Sequence, residues 1–508
     1  MKGLSKSRYT AFCQCPKNLW LKVFNPEVAT KDPALEARFE RGNEVGDYAM
    51  QLFGEFVEVT TQNADGSLNY TTMVEKTKEE MAKGTENICE ASFATAGHYC
   101  AVDILRKNGD GWDIYEVKSS TYKGDEKDTP ESLLVYTRDI AYQKWLLEQC
   151  GVKVNGTYLV RLNKFYVRGK KLDLQQLFHI RNMDDVVANE YLKVPSNVNL
   201  ALKALGGPEP DEPIEIHCHK PYHCAFFDYC KRLHGVPEDE PTVFDLYNVR
   251  FSKMCKLYNE GKVRFEDLVS EKLGEVQKLQ VSTYLNNSQL VTPAEIREFL
   301  KKLTYPLYFL DFETMQDAIP KFEGTRPYQQ IPFQYSLHWI EKEGEDPKHK
   351  DFLGDSVNDP RRALAEKLCN EIPKGVCTTA YNKGFECGRL KELAAAYPDL
   401  SDHLLDIADH IVDLIEPFHE KMVYLPEMEG SFSIKHVLPA LQPDLSYDDL
   451  EGSVHNGGEA MTLYPQIVRP GRSPEEIEAD RKSLLEYCKL DTLAMVEVWK
   501  KLIELSKN

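Results

Sequence analysis

Tyr308-Phe309-Leu310-Asp311-Phe312-Glu313-Thr314 reads as an apolar strand with two acids at alternate positions. Strand side chains alternate between faces, so Asp311 and Glu313 share one face of an otherwise core-forming segment. Burying two carboxylates side by side is costly, and their pKa values rise unless a cation neutralises them. The bland alternative is a pair of acids at the carboxyl edge of a sheet. Downstream, Thr378-Thr379-Ala380-Tyr381-Asn382-Lys383-Gly384-Phe385-Glu386 ends a strand and enters a helix. Further on, Leu484-Leu485-Glu486-Tyr487-Cys488-Lys489-Leu490-Asp491-Thr492 lies in a helical pattern, with Tyr487 and Asp491 one turn apart on one face. Strand and helix patterns alternate both here and near the amino terminus, which predicts an α/β protein.

At 508 residues the chain predicts more than one domain. Punctuation suggests three regions: residues 1–235, a helical spacer over 236–300 with no chemical constellation, and residues 301–508. The best apolar run, Tyr305 to Leu310, is six residues long, far short of a membrane span. Met1-Lys2-Gly3-Leu4-Ser5-Lys6 leads into no apolar stretch, so neither a secretory leader nor a membrane association is expected, and the expected location is cytoplasmic.

The formal net charge is −19, from 62 Lys+Arg against 81 Asp+Glu. That sum disfavours nucleic acid as a ligand, but local charge decides. From Lys153 to Lys171 there are six basic residues and no acid, interleaved with Tyr158, Phe165 and Tyr166. Such a segment suits a groove that tracks phosphates and stacks bases, or simply a solvated basic face.

Ala101-Val102-Asp103-Ile104-Leu105 and Trp112-Asp113-Ile114-Tyr115-Glu116-Val117-Lys118 read as two strands, joined by the hairpin turn Asn108-Gly109-Asp110-Gly111. Glu116 and Lys118 share a face, and Asp103 on the neighbouring strand can join them. Two carboxylates and a lysine there can hold a divalent cation at a phosphodiester, or can form an ordinary salt-bridged hairpin.

The 13 cysteines are mostly scattered singly, as buried small hydrophobes are. Cys218, Cys224 and Cys230 instead fall at even spacing in one short stretch, with Cys13 and Cys15 far upstream. Metal ligation is one reading, and chance clustering is another.

Asp103…Glu116-Val117-Lys118 resembles the PD-(D/E)XK motif of RecB-type nucleases over roughly residues 1–235. The helix Asp139-Ile140-Ala141-Tyr142-Gln143-Lys144-Trp145-Leu146-Leu147 is similar to that family's glutamine helix, with Gln143 in the glutamine position. In Arg41-Gly42-Asn43-Glu44-Val45-Gly46, Gly46 stands where the family often has a histidine, which leaves Glu44 or Glu90 to substitute. Ser7 to Pro16 resembles the first ligand segment of the iron–sulfur members, the CRISPR-associated RecB-like and AddB-type nucleases. The resemblance implies a structural [4Fe–4S] cluster on Cys15, Cys218, Cys224 and Cys230, closing a loop of roughly 200 residues. Zinc is the second choice, with His217, His219 and His223 as spare ligands.

Asp311 and Glu313, then Asn382…Glu386, then Tyr487 with Asp491 resemble in order the motifs of the DnaQ-like DEDD exonucleases, over about residues 303–505. Glu386 stands where that family normally has aspartate, and Asp413 is a candidate to assist. The two resemblances imply a PD-(D/E)XK restriction-endonuclease-like domain, a helical spacer and an RNase H-like (DnaQ) domain. They also imply a bifunctional metal-dependent nuclease with 3′–5′ exonuclease activity. In the second site Mg²⁺ or Mn²⁺ would be held by Asp311, Glu313, Glu386 and Asp491, with Tyr487 orienting water. In the first, Asp103 and Glu116 would hold the metal, helped by Lys118 and Gln143. DNA is expected ahead of RNA, in DNA repair or mobile-element defence. The alternatives are a non-catalytic nucleic-acid-binding scaffold, an exoribonuclease, or a regulator whose cluster responds to redox state.

Overall fold

The computed structural model describes residues 3–32, 35–445 and 452–507. The chain is mixed α/β and divides into two compact units, residues 1–238 with 317–329, and residues 239–316 with 330–508.

In the first unit a seven-stranded sheet runs β2 (Val57–Glu58), β3 (Asn87–Thr95), β4 (His98–Asn108), β5 (Gly111–Tyr122), β6 (Val154–Asn163) and β7 (Phe178–Asn182), and β1 (Leu4–Ser5) pairs parallel with β4. The β4–β5 hairpin closes at Asn108 opposite Gly111, as the turn residues predict. Gly109 takes φ +60° at the first central position, where a type II′ turn places glycine. The connection from β5 to its parallel neighbour β6 is the helix Pro130–Gln149. Thr129 caps that helix and Pro130 occupies its first turn. Leu133, Ile140, Ala141, Tyr142, Leu146 and Leu147 bury one side of it in the sheet's core. That packing leaves Asp139 and Gln143, one turn apart, aimed at β5.

The helix Lys6–Gln14 is held on the same layer. Tyr9 stacks on Tyr142 with ring centroids 4.8 Å apart, and the Tyr142 hydroxyl donates to the Leu4 carbonyl at 2.6 Å. Residues 317–329 belong to this unit, with Ala318 and Ile319 buried among Val45, Ala49, Tyr115 and Leu162.

The second unit contains the five-stranded sheet. Its order is β11 (Lys348–Leu353), β10 (Ile331–Ile340), β9 (Leu307–Met315), β12 (Cys377–Ala380) and β13 (Ile411–Asp413). β10 is antiparallel to β9 and β11, whereas β12 is parallel to both β9 and β13. β8 (Leu290–Val291) and β14 (Val423–Tyr424) form a separate pair. The strand with which the sequence reading began is therefore central, buried along nearly its whole length. The helix Pro474–Ser506 opens with a capping box between Ser473 and Glu476. It is fixed to β10 by a hydrogen bond from Gln334 to the Leu484 carbonyl and by the Thr492 hydroxyl, which lies within hydrogen-bond distance of both Ser336 Oγ and His338 Nδ1.

The helices of the stretch expected as a spacer, Phe251–Asn259, Glu275–Asn286 and Pro293–Leu300, are grouped with this second unit. Val243, Leu246, Met254, Leu257, Phe265, Leu268 and Val281 give the stretch a core of its own. No helix among the described residues is long and apolar enough to cross a membrane.

Candidate functional site

In the first unit, β4, β5 and the helix Pro130–Gln149 bring Asp103, Glu116, Lys118 and Gln143 to one place. Glu116 is fully buried. It accepts from Gln143 Nε2 at 2.6 Å and from Lys118 Nζ, and Lys118 also reaches Asp139 Oδ2 at 2.9 Å. Burial alone would push the Glu116 carboxyl up, but Lys118 and Lys6 beside it hold it below the usual range. Asp103 accepts from the Val117 N–H at 2.6 Å. Burial, then repulsion from Glu116, pushes its pKa up to about 6.

Two members of this centre went unread in the sequence. Asp139 could have been found, since it lies four residues before Gln143 on the same helix face. Lys6 left no such signal, because only the pairing of β1 with β4 brings its helix there. Its Nζ lies 3.1 and 3.2 Å from the two Glu116 oxygens and 3.8 Å from Asp139.

Of the two substitutes considered for the histidine, Glu90 is the one at the site. The β3–β4 register, with Cys89 opposite Ile104 and Ala91 opposite Val102, brackets Glu90 and Asp103 across from one another. Glu90 has φ +57°, and burial followed by repulsion from Asp103 pushes its pKa up to about 8. Glu44 instead lies near Lys321 and Asp317. The space around Gly46 is open, with nothing within 4 Å of where a Cβ would stand.

In the second unit, β9 supplies Asp311 and Glu313, the first turn of the helix Gly384–Ala396 supplies Glu386, and the helix Pro474–Ser506 supplies Tyr487 and Asp491. Glu313, Glu386, Tyr487 and Asp491 are buried, and Asp311 is partly so. Burial, then repulsion from Asp491, Glu313 and Glu386, drives the Asp311 pKa well up. Burial and Asp491 do the same to Glu313, while Lys435 opposes them. Glu386 is pushed up to about 8, chiefly by burial. Lys435 Nζ stands 5.3 Å above the Tyr487 ring, which places Tyr487 at the same pocket. Asp413 serves the backbone here, accepting from the N–H groups of Asn382 and Lys383 ahead of the Glu386 helix.

The donor set suits a cation. Glu386 Oε2 is buried without a hydrogen-bond partner, and ligand atoms of Asp311, Glu313 and Cys488 lie within 4.8 Å of one another. Acids this closely packed and this deeply buried are compensated when a divalent ion lies among them. Cys488, directly after Tyr487, is one of the singly placed cysteines of the sequence.

The four predicted cysteines also converge. Cys15 occupies the N-cap position of the helix Pro16–Phe24, and burial pushes its thiol up to about 11 against the opposing N–H groups of Asn18 and Lys17. Cys218 feels Cys15, Cys224 and Cys230 as neighbouring charges, and burial pushes its thiol up to about 12. Gln14 donates to the carbonyls of His217 and Tyr222 at 2.9 and 2.8 Å, tying the two ends of the unit together. Among the described residues, no three of these sulfurs lie within 4.8 Å of one another. A tetrahedral zinc would hold them about 3.8 Å apart.

Three of the six cations in the Lys153–Lys171 segment have partners within the first unit. Lys153 pairs with Asp110, Arg161 is buried against Asp128, and Arg168 donates to the Pro320 carbonyl. A basic cleft of about 870 Å³ in the first unit takes Arg161 from this segment as one of its lining residues. Arg38, Arg41, Lys123 and Lys127 line it together with Lys118 of the carboxylate centre, and Tyr136, Tyr222 and Tyr328 add aromatic faces. Folding gathers these cations from segments whose local composition is unremarkable.

A family described as a domain of unknown function (DUF2779) matches residues 308–433. The matched span takes in Asp311, Glu313 and Glu386 and ends before Tyr487. An uncharacterized protein of Ureaplasma parvum, UU173, is 28% identical over 248 residues, covering 44% of this chain and 35% of that protein. An uncharacterized homolog of MG366 from Mycoplasma pneumoniae is 26% identical over 276 residues, covering 50% of this chain and 39% of the relative. The chain thus spans well under half the length of these relatives.

Proposed function

We propose that this protein is a metal-dependent nuclease with two carboxylate centres, a RecB-like PD-(D/E)XK centre in the first unit and a DnaQ-like 3′–5′ exonuclease centre in the second. The observation that carries the reading is the convergence of Asp311, Glu313, Glu386 and Asp491 in one buried pocket, from three elements far apart in sequence. Mg²⁺ or Mn²⁺ among these acids would polarise a phosphodiester and lower the pKa of an attacking water. Tyr487, under the Lys435 ammonium, orients water by hydrogen bonding rather than acting as a strong base, since phenols ordinarily ionise near pH 10. Lys435 also offsets part of the negative charge at Glu313.

At the first centre, Gln143 and Lys118 fix the Glu116 carboxylate, and Lys118 is placed to neutralise charge developing on a phosphate. The adjoining basic cleft, with its tyrosines, suits single-stranded DNA or frayed ends. Cys15, Cys218, Cys224 and Cys230 hold a [4Fe–4S] cluster in this reading. Among the described residues no three of their sulfurs lie within 4.8 Å of one another, a looser grouping than the sulfurs around a tetrahedral zinc, and a cluster holds its ligands farther apart. DNA repair or defence against mobile elements is the corresponding role.

Lys6 supports a second reading for the first centre alone. Its ammonium contacts both Glu116 oxygens, as a structural ion pair in a non-catalytic, nucleic-acid-binding unit would.

The test uses anaerobically purified full-length protein on end-labelled single and double strands with Mg²⁺, Mn²⁺ or chelator. Glu116→Ala and Asp311→Ala should each remove a distinct set of products, and the double variant both. Cleavage that persists in the double variant would defeat the proposal. Loss of products with Asp311→Ala alone would leave the first unit as a binding module. Brown absorbance that disappears with Cys224→Ser would identify the cluster, whereas colourless protein containing stoichiometric zinc would replace it.

A further inference from the structure

The second centre contains a sulfur that carboxylate chemistry does not account for. Cys488 is fully buried, one turn before Asp491 on the same helix, and its Sγ lies 3.8 Å from Asp311 Oδ2. With Asp311 and Glu313 it completes the group of three ligand atoms within 4.8 Å. Zinc–thiolate and zinc–carboxylate bonds of about 2.3 and 2.1 Å at a tetrahedral angle would place sulfur and oxygen about 3.6 Å apart. The observed separation is close to that. Independently, Glu386 is 3% exposed, its Oε2 lacks a hydrogen-bond partner, and its charge acts on Asp311. An acceptor of that kind, directed at the same pocket, calls for a cation.

We infer that Cys488 is a metal ligand and that its sulfur turns the second centre toward thiophilic divalent cations such as Zn²⁺, Co²⁺ or Cd²⁺ over Mg²⁺. This rests on the reading of the pocket as a hydrolytic metal centre and adds the class of metal it selects. Mg²⁺ prefers oxygen ligands in near-octahedral order, whereas thiolate selects softer ions. Without a cation the Cys488 thiol donates to Asp311 Oδ2. Ligation exchanges that proton for the S–metal bond and releases the proton to solvent.

The experiment is a Co²⁺ titration of the full-length protein, read by near-ultraviolet sulfur-to-cobalt charge-transfer absorbance. The wild type should develop a band that is lost in both Cys488→Ser and Asp311→Asn. The second variant touches none of the amino-terminal cysteines, so their contribution cancels in the comparison. Co²⁺ affinity relative to Mg²⁺ should fall roughly tenfold or more in Cys488→Ser. Retained Mg²⁺ binding in Cys488→Ser and Cys488→Ala would separate a lost ligand from a lost fold. Absence of an Asp311-dependent band in the wild type, or its persistence in Cys488→Ser, overturns the inference. If Mg²⁺ still supports Asp311-dependent hydrolysis in that case, the nuclease reading survives without the sulfur ligand. A Cys488-dependent band without any hydrolysis keeps the ligand and removes the nuclease reading.

Discussion

Gln143 Nε2 donates to Glu116 Oε2 at 2.6 Å, while its own Oε1 is buried without a hydrogen-bond partner. The amide is thus held in one orientation by the carboxylate it supports. Gln143→Leu should remove that donor from a buried charge and lower the stability of the first unit by about 1–3 kcal/mol. Urea unfolding followed by a probe in that unit measures the effect. An unchanged midpoint would show that the bond contributes nothing net.

Lys6 and a divalent ion compete for the same Glu116 oxygens. Lys6→Ala should therefore raise Mn²⁺ affinity at the first centre, by on the order of tenfold for each pKa-unit equivalent of repulsion removed. Calorimetric titration in an Asp311→Ala background isolates that site. Equal affinity in both proteins would mean that Lys6 yields to metal at no cost. If Lys6 also holds the ion pair together, the metal-free variant should be less stable than its parent.

Arg41 lines the basic cleft rather than the carboxylate cluster. Arg41→Ala should weaken single-stranded DNA binding similarly for all sequences and reduce the salt-dependence slope by roughly 0.7. Fluorescence anisotropy across a salt series gives both quantities. A sequence-selective loss with an unchanged slope would place the phosphate path elsewhere.

His338 joins β10 to the long carboxy-terminal helix through Thr492, and burial lowers its pKa from 6.5 to about 3. Between these values the unfolded chain binds a proton that the folded chain does not, so stability falls as pH drops through this window. Thermal unfolding of the second unit should therefore lose more between pH 7 and pH 4 in the wild type than in His338→Gln. Parallel curves would remove His338 from the acid response.

Much of the candidate chemistry could be read locally because its signals are periodic. The alternation in β9 and the one-turn step from Tyr487 to Asp491 each define a face without any tertiary knowledge. The β4–β5 hairpin turn was equally plain, since glycine at a positive φ marks it. Lys6, Glu90 and the cleft cations could not be assigned in this way, because no local period relates them to Glu116 or Lys118.

The sequence by itself determined the α/β class, the positions of its principal strands and helices, and which acids share a face. These follow from steric and hydrophobic periods only a few residues long. Tertiary packing alone decided that Lys6 meets Glu116, that Cys488 meets Asp311, and that residues 239–300 group with the second unit. Those outcomes depend on which buried surfaces fit together across hundreds of residues. Such fit is a property of the assembled core and not of any segment within it.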